Sequence, residues 1–278
     1  MSAAGEPFAC LTCYDATMAR ILERAGVPVL LVGDSAAEVV LGFERTIDMP
    51  LEFALTITAA VKRGGPSRLV MADMPFMSYQ AEEGEAIRNA GRFMTEGCAD
   101  VVKLEVDASF AGLVERLTRA GVPVVAHIGS RPQRAALRGG YGGAGRTDAE
   151  AASIVADAAA MQAAGAVMLL IEAVPETVTK RVMEATSIPL IGIGAGPECH
   201  GQVLVVHDLL GMSKSPPRFA EAAADVAAVV EAAGREWVTR VTTRRPGGGG
   251  YGGVGSVAGV KTGEKPAPES TGRTIANG

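Results

Sequence analysis

Long hydrophobic runs are absent from this 278-residue sequence. Its longest apolar stretches, such as residues 27–32, fall far short of the roughly 20 residues that a membrane-spanning helix needs. The N-terminus also lacks the charged segment followed by an apolar segment that marks a secretory signal. We therefore expect a protein of the cytoplasm that has no membrane partner.

Blocks of basic residues are absent as well. The sequence has 31 acidic and 26 basic residues, a net charge of -5, and no cluster of Lys and Arg. Such a chain gains little from releasing the counterions of a nucleic acid, so we expect no nucleic-acid partner. Its hydrophobic fraction of 48% allows a sizeable core, which suits a globular protein of one large domain or two small ones.

Cysteine is scarce, because the chain has only Cys10, Cys13, Cys98 and Cys199. Four scattered cysteines are too few for a disulfide framework in a chain of this length. Cys10 and Cys13 form a CxxC pair, but no second pair follows, so the usual spacing of a zinc site is missing. We expect both to be buried thiols that behave as small apolar residues.

Short apolar runs separated by helix-length segments make up most of the chain, as in "LTRAGVPVVAHIG" and "MQAAGAVMLLIEAVP". This alternation is typical of βα units with a parallel sheet. It predicts eight strands, at residues 8–12, 28–33, 69–72, 101–105, 123–127, 167–171, 189–193 and 203–206. Eight βα units match a (β/α)8 TIM barrel, which typically has about 250 residues. A doubly wound open sheet stays an alternative, because periodicity does not report whether a sheet closes.

The composition changes abruptly near Arg244, where a segment rich in Gly, Pro, Ser and Thr begins. Such a segment cannot bury enough apolar surface to offset the entropy of ordering it. We predict a barrel domain over residues 1–243 and a disordered tail over residues 244–278.

Polar residues cluster at the predicted strand ends, where TIM barrels carry their active sites. Lys103 and Glu105 lie two apart on the fourth strand, so both side chains leave the same face. The full set of candidates is Asp34, Ser35, Asp73, Lys103, Glu105, His127 and Glu172. Taken singly, an Asp at a strand end is often a helix cap or turn residue, and a lone His is more often structural.

Taken together, the carboxylates of this set would repel one another unless a cation or raised pKa values relieved them. Mg²⁺ is the economical cation, since it prefers oxygen ligands and commonly takes one or two carboxylates. We predict Asp34 and Asp73 as direct ligands and Glu105 as a ligand directly or through water. Lys103 would then hold an anionic group of a substrate beside the metal.

Several ordered motifs resemble the ketopantoate hydroxymethyltransferase family: "LTCYDATMARILERAGVPVLLVGDS", "ADMPFMSY", "VKLE", "AHIGSRPQ", "GGYGGAGR", "IEAVP", "IPLIGIGAG" and "GQVLVVHDLLG". The resemblance spans about residues 8–219. It implies a (β/α)8 barrel, usually a homodecamer, that uses Mg²⁺ and 5,10-methylenetetrahydrofolate in pantothenate biosynthesis. The reaction it implies adds a hydroxymethyl group to C3 of 3-methyl-2-oxobutanoate through a Mg-stabilised enolate, giving 2-dehydropantoate.

The resemblance also implies a role for each candidate residue. Asp34 and Asp73 match metal ligands, and Glu105 matches the third acidic residue at the metal. Ser35 and Lys103 match substrate contacts, Glu172 matches the proton acceptor, and His127 matches a residue that lines the pocket.

Several positions depart from the family pattern. Glu38 ends an Ala-Ala-Glu where Leu-Gly-Met is usual, Phe43 replaces a His, Arg131 follows Ser130 in place of Leu-Thr, and His200 replaces an Asp. Three alternatives therefore stay open: a paralogue acting on another 2-oxo acid, a Mg-dependent enzyme of the phosphoenolpyruvate mutase and isocitrate lyase kind, and a catalytically silent barrel.

Overall fold

Eight short aliphatic runs form the parallel strands of a closed barrel in the computed structural model, which describes residues 6–245 and 247. The strands are β1 (Phe8–Thr12), β2 (Val29–Val32), β3 (Leu69–Asp73), β4 (Val101–Glu105), β5 (Val124–Gly129), β6 (Met168–Glu172), β7 (Leu190–Ile193) and β8 (Gly201–Leu204). Each strand pairs with the next, and β1 pairs with β8 through the register Phe8 to Gly201. The predicted TIM barrel is confirmed, and the open sheet was the wrong alternative.

Helices follow most of the strands. They are α1 (Ala16–Arg24), α2 (Ala36–Val39), α3 (Leu51–Gly64), α4 (Glu83–Thr95), α5 (Ala111–Arg119), α6 (Ala135–Arg138), α7 (Asp148–Ala163), α8 (Glu176–Ala185), α9 (Val206–Leu209) and α10 (Val226–Thr242). Their starts agree with local sequence: Thr147 and Glu150 form a capping box at the start of α7, and the Asp15 carboxylate accepts two backbone hydrogen bonds at the start of α1.

The connection from β7 to β8 departs from the expected eight βα units. Residues 194–200, all of which the structure describes, form turns and no helix. Gly194 and Gly196 have φ angles of 58° and 82°, a left-handed conformation that does not propagate a right-handed helix. Pro197 follows them and could only have stood in the first turn of a helix, so the sequence favours a turn here.

The inside of the barrel has an apolar floor, which we define as Cys10, Val29, Leu31, Met71, Val101, Val125, Leu170, Ile191 and Val203. The alternate residues of the same strands pack outward in a larger cluster with the helices. Because side chains alternate along a strand, the residues two positions after the floor also point inward. That rule points Asp73, Lys103, His127 and Glu172 into the barrel, each nearer the carboxyl end of its strand than the floor residue of the same strand.

Both cysteines of the CxxC pair are buried and free, as predicted. Cys10 belongs to the floor, whereas Cys13 packs in the outer cluster. Burial raises the pKa of each thiol, to about 11 for Cys13, so neither forms a thiolate near neutral pH.

The chain divides into two compact units, residues 1–228 and 229–278. Within the second unit, α10 carries exposed apolar side chains at Val229, Val230, Trp237, Val238 and Val241. The predicted tail of residues 244–278 lies outside the described residues except for 244, 245 and 247, so the proposed division at residue 243 stays a prediction. No helix in the described part of the chain is long and apolar enough to cross a membrane.

Candidate active site

The carboxyl ends of β3, β4, β5 and β6 bring five predicted residues into contact range at the mouth of the barrel. The strand registers set Asp73 beside Lys103 and Glu105 beside His127. Asp73, Lys103, Glu105 and His127 are each less than 5% exposed. Glu172 is the most accessible, with a side chain that is 23% exposed. The structure therefore brings together the charged residues that the sequence pointed to.

Lys103 lies at the centre of this group. Its Nζ is 2.7 Å from Asp73 Oδ1 and 3.3 Å from His127 Nδ1. Because an ammonium can only donate, Nδ1 of His127 must accept, which leaves the proton of the neutral ring on Nε2. His127 Nε2 lies 3.4 Å from Glu172 Oε2. The lysine thus fixes the tautomer of the histidine that faces the glutamate.

The buried charges shift one another's pKa values. Burial raises the pKa of Asp73 to about 7 even though the Lys103 charge opposes this, and burial likewise raises that of Glu172 to about 7. Glu105 is raised well above its usual range for the same reason. Burial disfavours the charged form of Lys103, but the negative charges of Asp73, Glu105 and Asp34 outweigh this effect and raise the Lys103 pKa.

His127 responds in the opposite direction. Burial, followed by the positive charges of Lys103 and Arg131, lowers its pKa well below the usual value. The ring is therefore neutral at physiological pH, in agreement with the tautomer that Lys103 imposes.

Gln133 connects the loops after β2, β3 and β4, and sequence reasoning missed it. Its Nε2 donates to Asp34 Oδ2 at 3.2 Å and to the Met74 carbonyl at 3.0 Å, and its backbone N–H donates to Glu105 Oε2 at 2.9 Å. Gln133 stands in the quoted motif "AHIGSRPQ", but an uncharged amide gave no reason to single it out.

Two tyrosines support the site and were also missed. The hydroxyl of Tyr79 accepts from the Glu105 backbone N–H at 3.0 Å and donates to Gln133 Oε1 at 2.9 Å. The hydroxyl of Tyr14 lies 2.8 Å from Ser35 Oγ, which orients the serine predicted to contact substrate. Both tyrosines are buried, so these hydrogen bonds form away from competing water.

The backbone just after Glu172 adopts an uncommon conformation. Ala173 has a φ of 48°, the left-handed region that costs an L-residue about 1–2 kcal/mol. Its N–H donates to the Ile193 carbonyl at 2.8 Å, and its carbonyl accepts from Ala144 at 2.9 Å. These bonds hold the bend at which β6 ends and Glu172 meets the mouth.

The oxygen donors of the site suit a hard divalent cation. The Asp34 backbone N–H donates to Asp73 Oδ2 at 3.2 Å, and the Asp34 charge raises the pKa of Asp73, so the two residues are close neighbours. Oε1 of Glu105 is buried without a hydrogen-bond partner in the described residues. No group of three or more His, Cys, Asp or Glu side chains in that part of the chain is arranged to hold a metal. The metal ligands Asp34, Asp73 and Glu105 therefore stay a prediction.

The departures from the family pattern lie in different places. His200 Nδ1 accepts from the backbone N–H of Leu190, the first residue of β7, so this residue lies at the end of the barrel opposite the site. Phe43 is 46% exposed. Arg131 pairs with Asp107 at 2.7 Å, and Glu38 accepts a hydrogen bond from Tyr141 at 3.3 Å.

Comparison with known proteins gives a consistent result. A family model described as ketopantoate hydroxymethyltransferase matches residues 1–246. The 3-methyl-2-oxobutanoate hydroxymethyltransferase of Pyrobaculum aerophilum is 46% identical over 237 residues, 85% of this chain and 90% of that protein. The enzyme of the same name from Halorhodospira halophila is 47% identical over 222 residues, which cover 80% of each chain.

Solved structures share the fold at much lower identity. Phosphonopyruvate hydrolase in complex with oxalate and Mg²⁺ has a TM-score of 0.60 and 14% identity, covering 87% of this chain and 84% of that chain. For 2,3-dimethylmalate lyase, of the PEP mutase/isocitrate lyase superfamily, the TM-score is 0.59 at 17% identity, covering 87% of this chain and 83% of that chain. These likenesses extend to the barrel alone.

Proposed function

Because the chain belongs to the ketopantoate hydroxymethyltransferase family, we propose that it adds a hydroxymethyl group from 5,10-methylenetetrahydrofolate to C3 of 3-methyl-2-oxobutanoate, giving 2-dehydropantoate. One observation supports this reaction most directly. Glu172 is a buried carboxyl group whose pKa is raised to about 7, and it faces a neutral histidine at the mouth of the barrel. Family membership decides against the mutase or lyase activities of the fold neighbours and against a silent barrel.

We assign Mg²⁺ to Asp34 and Asp73, and Glu105 would contact the ion directly or through water. When bound, the ion acts as a Lewis acid on the keto group and makes the neighbouring C–H bond more acidic. Two observations support the assignment: the paired aspartates, and the unpartnered Oε1 of Glu105. Phosphonopyruvate hydrolase, which shares the fold, was crystallised with oxalate and Mg²⁺.

Glu172 removes the proton from C3 in this proposal. A pKa of about 7 leaves a large fraction of the group ionised at neutral pH while keeping it basic enough to accept a proton. The Nε2 atom of His127 lies 3.4 Å from Oε2 of Glu172 without a hydrogen bond, and among the nearby charges Lys103 lowers the pKa of Glu172. A general base of this kind contributes about 10²- to 10⁴-fold to a rate.

Lys103 and Ser35 hold the 2-oxo acid. The raised pKa of Lys103 keeps its ammonium charged, so it attracts the substrate carboxylate and allows Asp73 to ionise beside it. Ser35 is oriented by Tyr14 and supplies a hydroxyl at the end of β2.

The atoms balance with folate as the one-carbon donor. The C3–H bond breaks, a C–C bond forms to the methylene carbon, and both bonds from that carbon to N5 and N10 of the folate break, with the C3 proton and one proton of water ending on the two nitrogens. Water supplies the hydroxyl oxygen, and tetrahydrofolate leaves with the proton count restored.

Proton exchange at C3 tests the proposal without folate. The protein is incubated with Mg²⁺ and 3-methyl-2-oxobutanoate in D2O, and the C3 proton is followed by NMR. We expect enzyme-dependent exchange that Glu172→Gln abolishes and that Glu184→Gln, an exposed glutamate on α8, leaves intact. Absence of exchange in the wild-type protein would refute the proposal.

A different 2-oxo acid is the second candidate substrate, and Glu38 is the observation that favours it. Burial raises the pKa of Glu38, and the Asp34 charge adds to this, so an acidic side chain lies near the metal-binding aspartate. A panel of 2-oxo acids in the same exchange assay distinguishes the two substrates.

We also propose that the protein is a cytoplasmic homo-oligomer. The exposed apolar side chains of α10 support self-association, because such a surface is costly in water. The family suggests a decamer.

A further inference from the structure

The part of the barrel mouth formed by the ends of β8 and β1 carries a second polar cluster. It consists of His207 and Asp208 in α9, after β8, which the proposed chemistry leaves without a role, together with Tyr14, after β1, whose part in that chemistry is to orient Ser35. The rings of Tyr14 and His207 lie 5.6 Å apart. The Tyr14 hydroxyl contacts Ser35, so this cluster adjoins the site for the 2-oxo acid.

Two adjacent residues of the cluster bury polar groups that lack partners. Asp208 is 7% exposed, and its carboxylate makes no hydrogen bond or salt bridge with any residue that the structure describes. Nδ1 of His207 is buried without a partner as well. Structural carboxylates in this chain behave differently: Asp15 accepts from two backbone N–H groups, and Asp107 pairs with two arginines. Neither oxygen of Asp208 is among the fully buried polar atoms, so a ligand at the barrel mouth can reach this carboxylate, which no described residue pairs with.

The charge of the cluster indicates what kind of ligand would bind there. The nearby charges that act on Tyr14 are those of Asp34 and Asp208, and Asp208 also acts on Glu38. A negative environment repels anions, so the 2-oxo acid belongs on the Lys103 side. The Asp208 side suits an uncharged group with several N–H donors.

We propose that Asp208 binds the pterin ring of the folate co-substrate. The 2-amino group and N3–H of a reduced pterin are adjacent donors that a carboxylate accepts as a bidentate pair. Tyr14 and His207 flank this position, and the Tyr14–Ser35 contact places the ring next to the 2-oxo acid. The inference rests on the proposed function and adds to it the residue that recognises the second substrate.

Two assays separate this inference from the proposed function. C3 exchange in D2O needs no folate, so Asp208→Asn should keep the wild-type exchange rate. The same variant should raise the KM for 5,10-methylenetetrahydrofolate by about 10- to 100-fold, the effect of losing a charge-assisted pair. Glu198→Gln, which also removes one negative charge but lies half exposed beside Lys180, should leave both unchanged.

The unfolding temperature distinguishes binding from support of the fold. The Asp208 side chain makes no hydrogen bond or salt bridge with the described residues, so Asp208→Asn removes no contact that supports the fold and its unfolding temperature should match that of the wild type. A lowered temperature with an unchanged KM for folate would overturn the inference, and so would an equal loss of exchange and of overall activity.

A change in the ligand gives a test that needs no variant. An analogue with a methyl group in place of the 2-amino group should bind the wild-type protein more weakly by the same factor. In Asp208→Asn, the analogue and the natural cofactor should bind alike. Equal binding of both by the wild type would overturn the inference. A wild-type protein that shows no C3 exchange would instead count against the proposed function.

Discussion

Replacing Glu172 by glutamine should make the protein more stable at pH 8 while abolishing proton exchange. Burial raises the Glu172 pKa from 4.5 to about 7. Ionising it in the folded state therefore costs about 1.4 kcal/mol for each of roughly 2.5 pKa units, or about 3 kcal/mol. Because the side chain is 23% exposed, solvent screening reduces this to about 2 kcal/mol.

The sign follows from the direction of the shift. A carboxyl group whose pKa is raised by folding binds its proton more tightly in the folded state than in the unfolded state. The wild-type protein therefore carries no penalty below about pH 4.5, an increasing penalty up to about pH 7, and the full penalty above that. Glutamine has no charge to bury, so it avoids the penalty at every pH.

Urea denaturation at several pH values between 5 and 8 measures the effect. The free energy of unfolding of Glu172→Gln should exceed that of the wild type by about 2 kcal/mol at pH 8, and the difference should shrink towards pH 5. Glu184→Gln, on the exposed face of α8, should match the wild type throughout. A variant less stable than the wild type at pH 8, or a difference independent of pH, would refute the burial argument.

Three further outcomes are expected. The rate of C3 exchange should rise with pH through a midpoint near 7 and then level off, since Glu172 acts as a carboxylate. A midpoint near 4.5 would show that burial does not raise the pKa of this group. Gln133→Leu should weaken Mg²⁺ binding by about 10- to 100-fold in calorimetry, because it removes the hydrogen bond to Asp34. Gln202→Leu, at the exposed start of β8, serves as control, and unchanged affinity in Gln133→Leu would contradict this support. Trp237→Glu should lower the mass measured by light scattering if α10 mediates self-association, whereas Arg235→Glu at its polar face should not.

The strands and the charged layer could be predicted because both depend on alternation within single strands. A run such as Val101–Glu105 specifies which side chains share a face, and closure of the barrel then turns that face inward. Lys103 and Glu105 were visible because charges are rare at such positions.

The supporting residues could not be predicted, because their roles depend on loops that meet only in the folded barrel. Gln133 and Asp34 are 99 positions apart, and the contact arises from the return of the chain after β5. Neutral side chains such as Tyr79 and Gln133 read equally well as core or surface. A helix was expected between β7 and β8 because the rest of the chain alternates strands and helices. The two glycines and the proline of this connection pointed to a turn instead.

The apolar floor closes the lower end of the barrel, so substrates enter and products leave through the one opening at the mouth. The ligand in the deepest position must bind before the ligand that covers it, and it must dissociate after that ligand. Steady-state kinetics of such an enzyme would follow a compulsory order, with the small keto acid as leading reactant and spent tetrahydrofolate as the first product to dissociate. Excess folate would then bind before the keto acid and inhibit the enzyme by forming a dead-end complex.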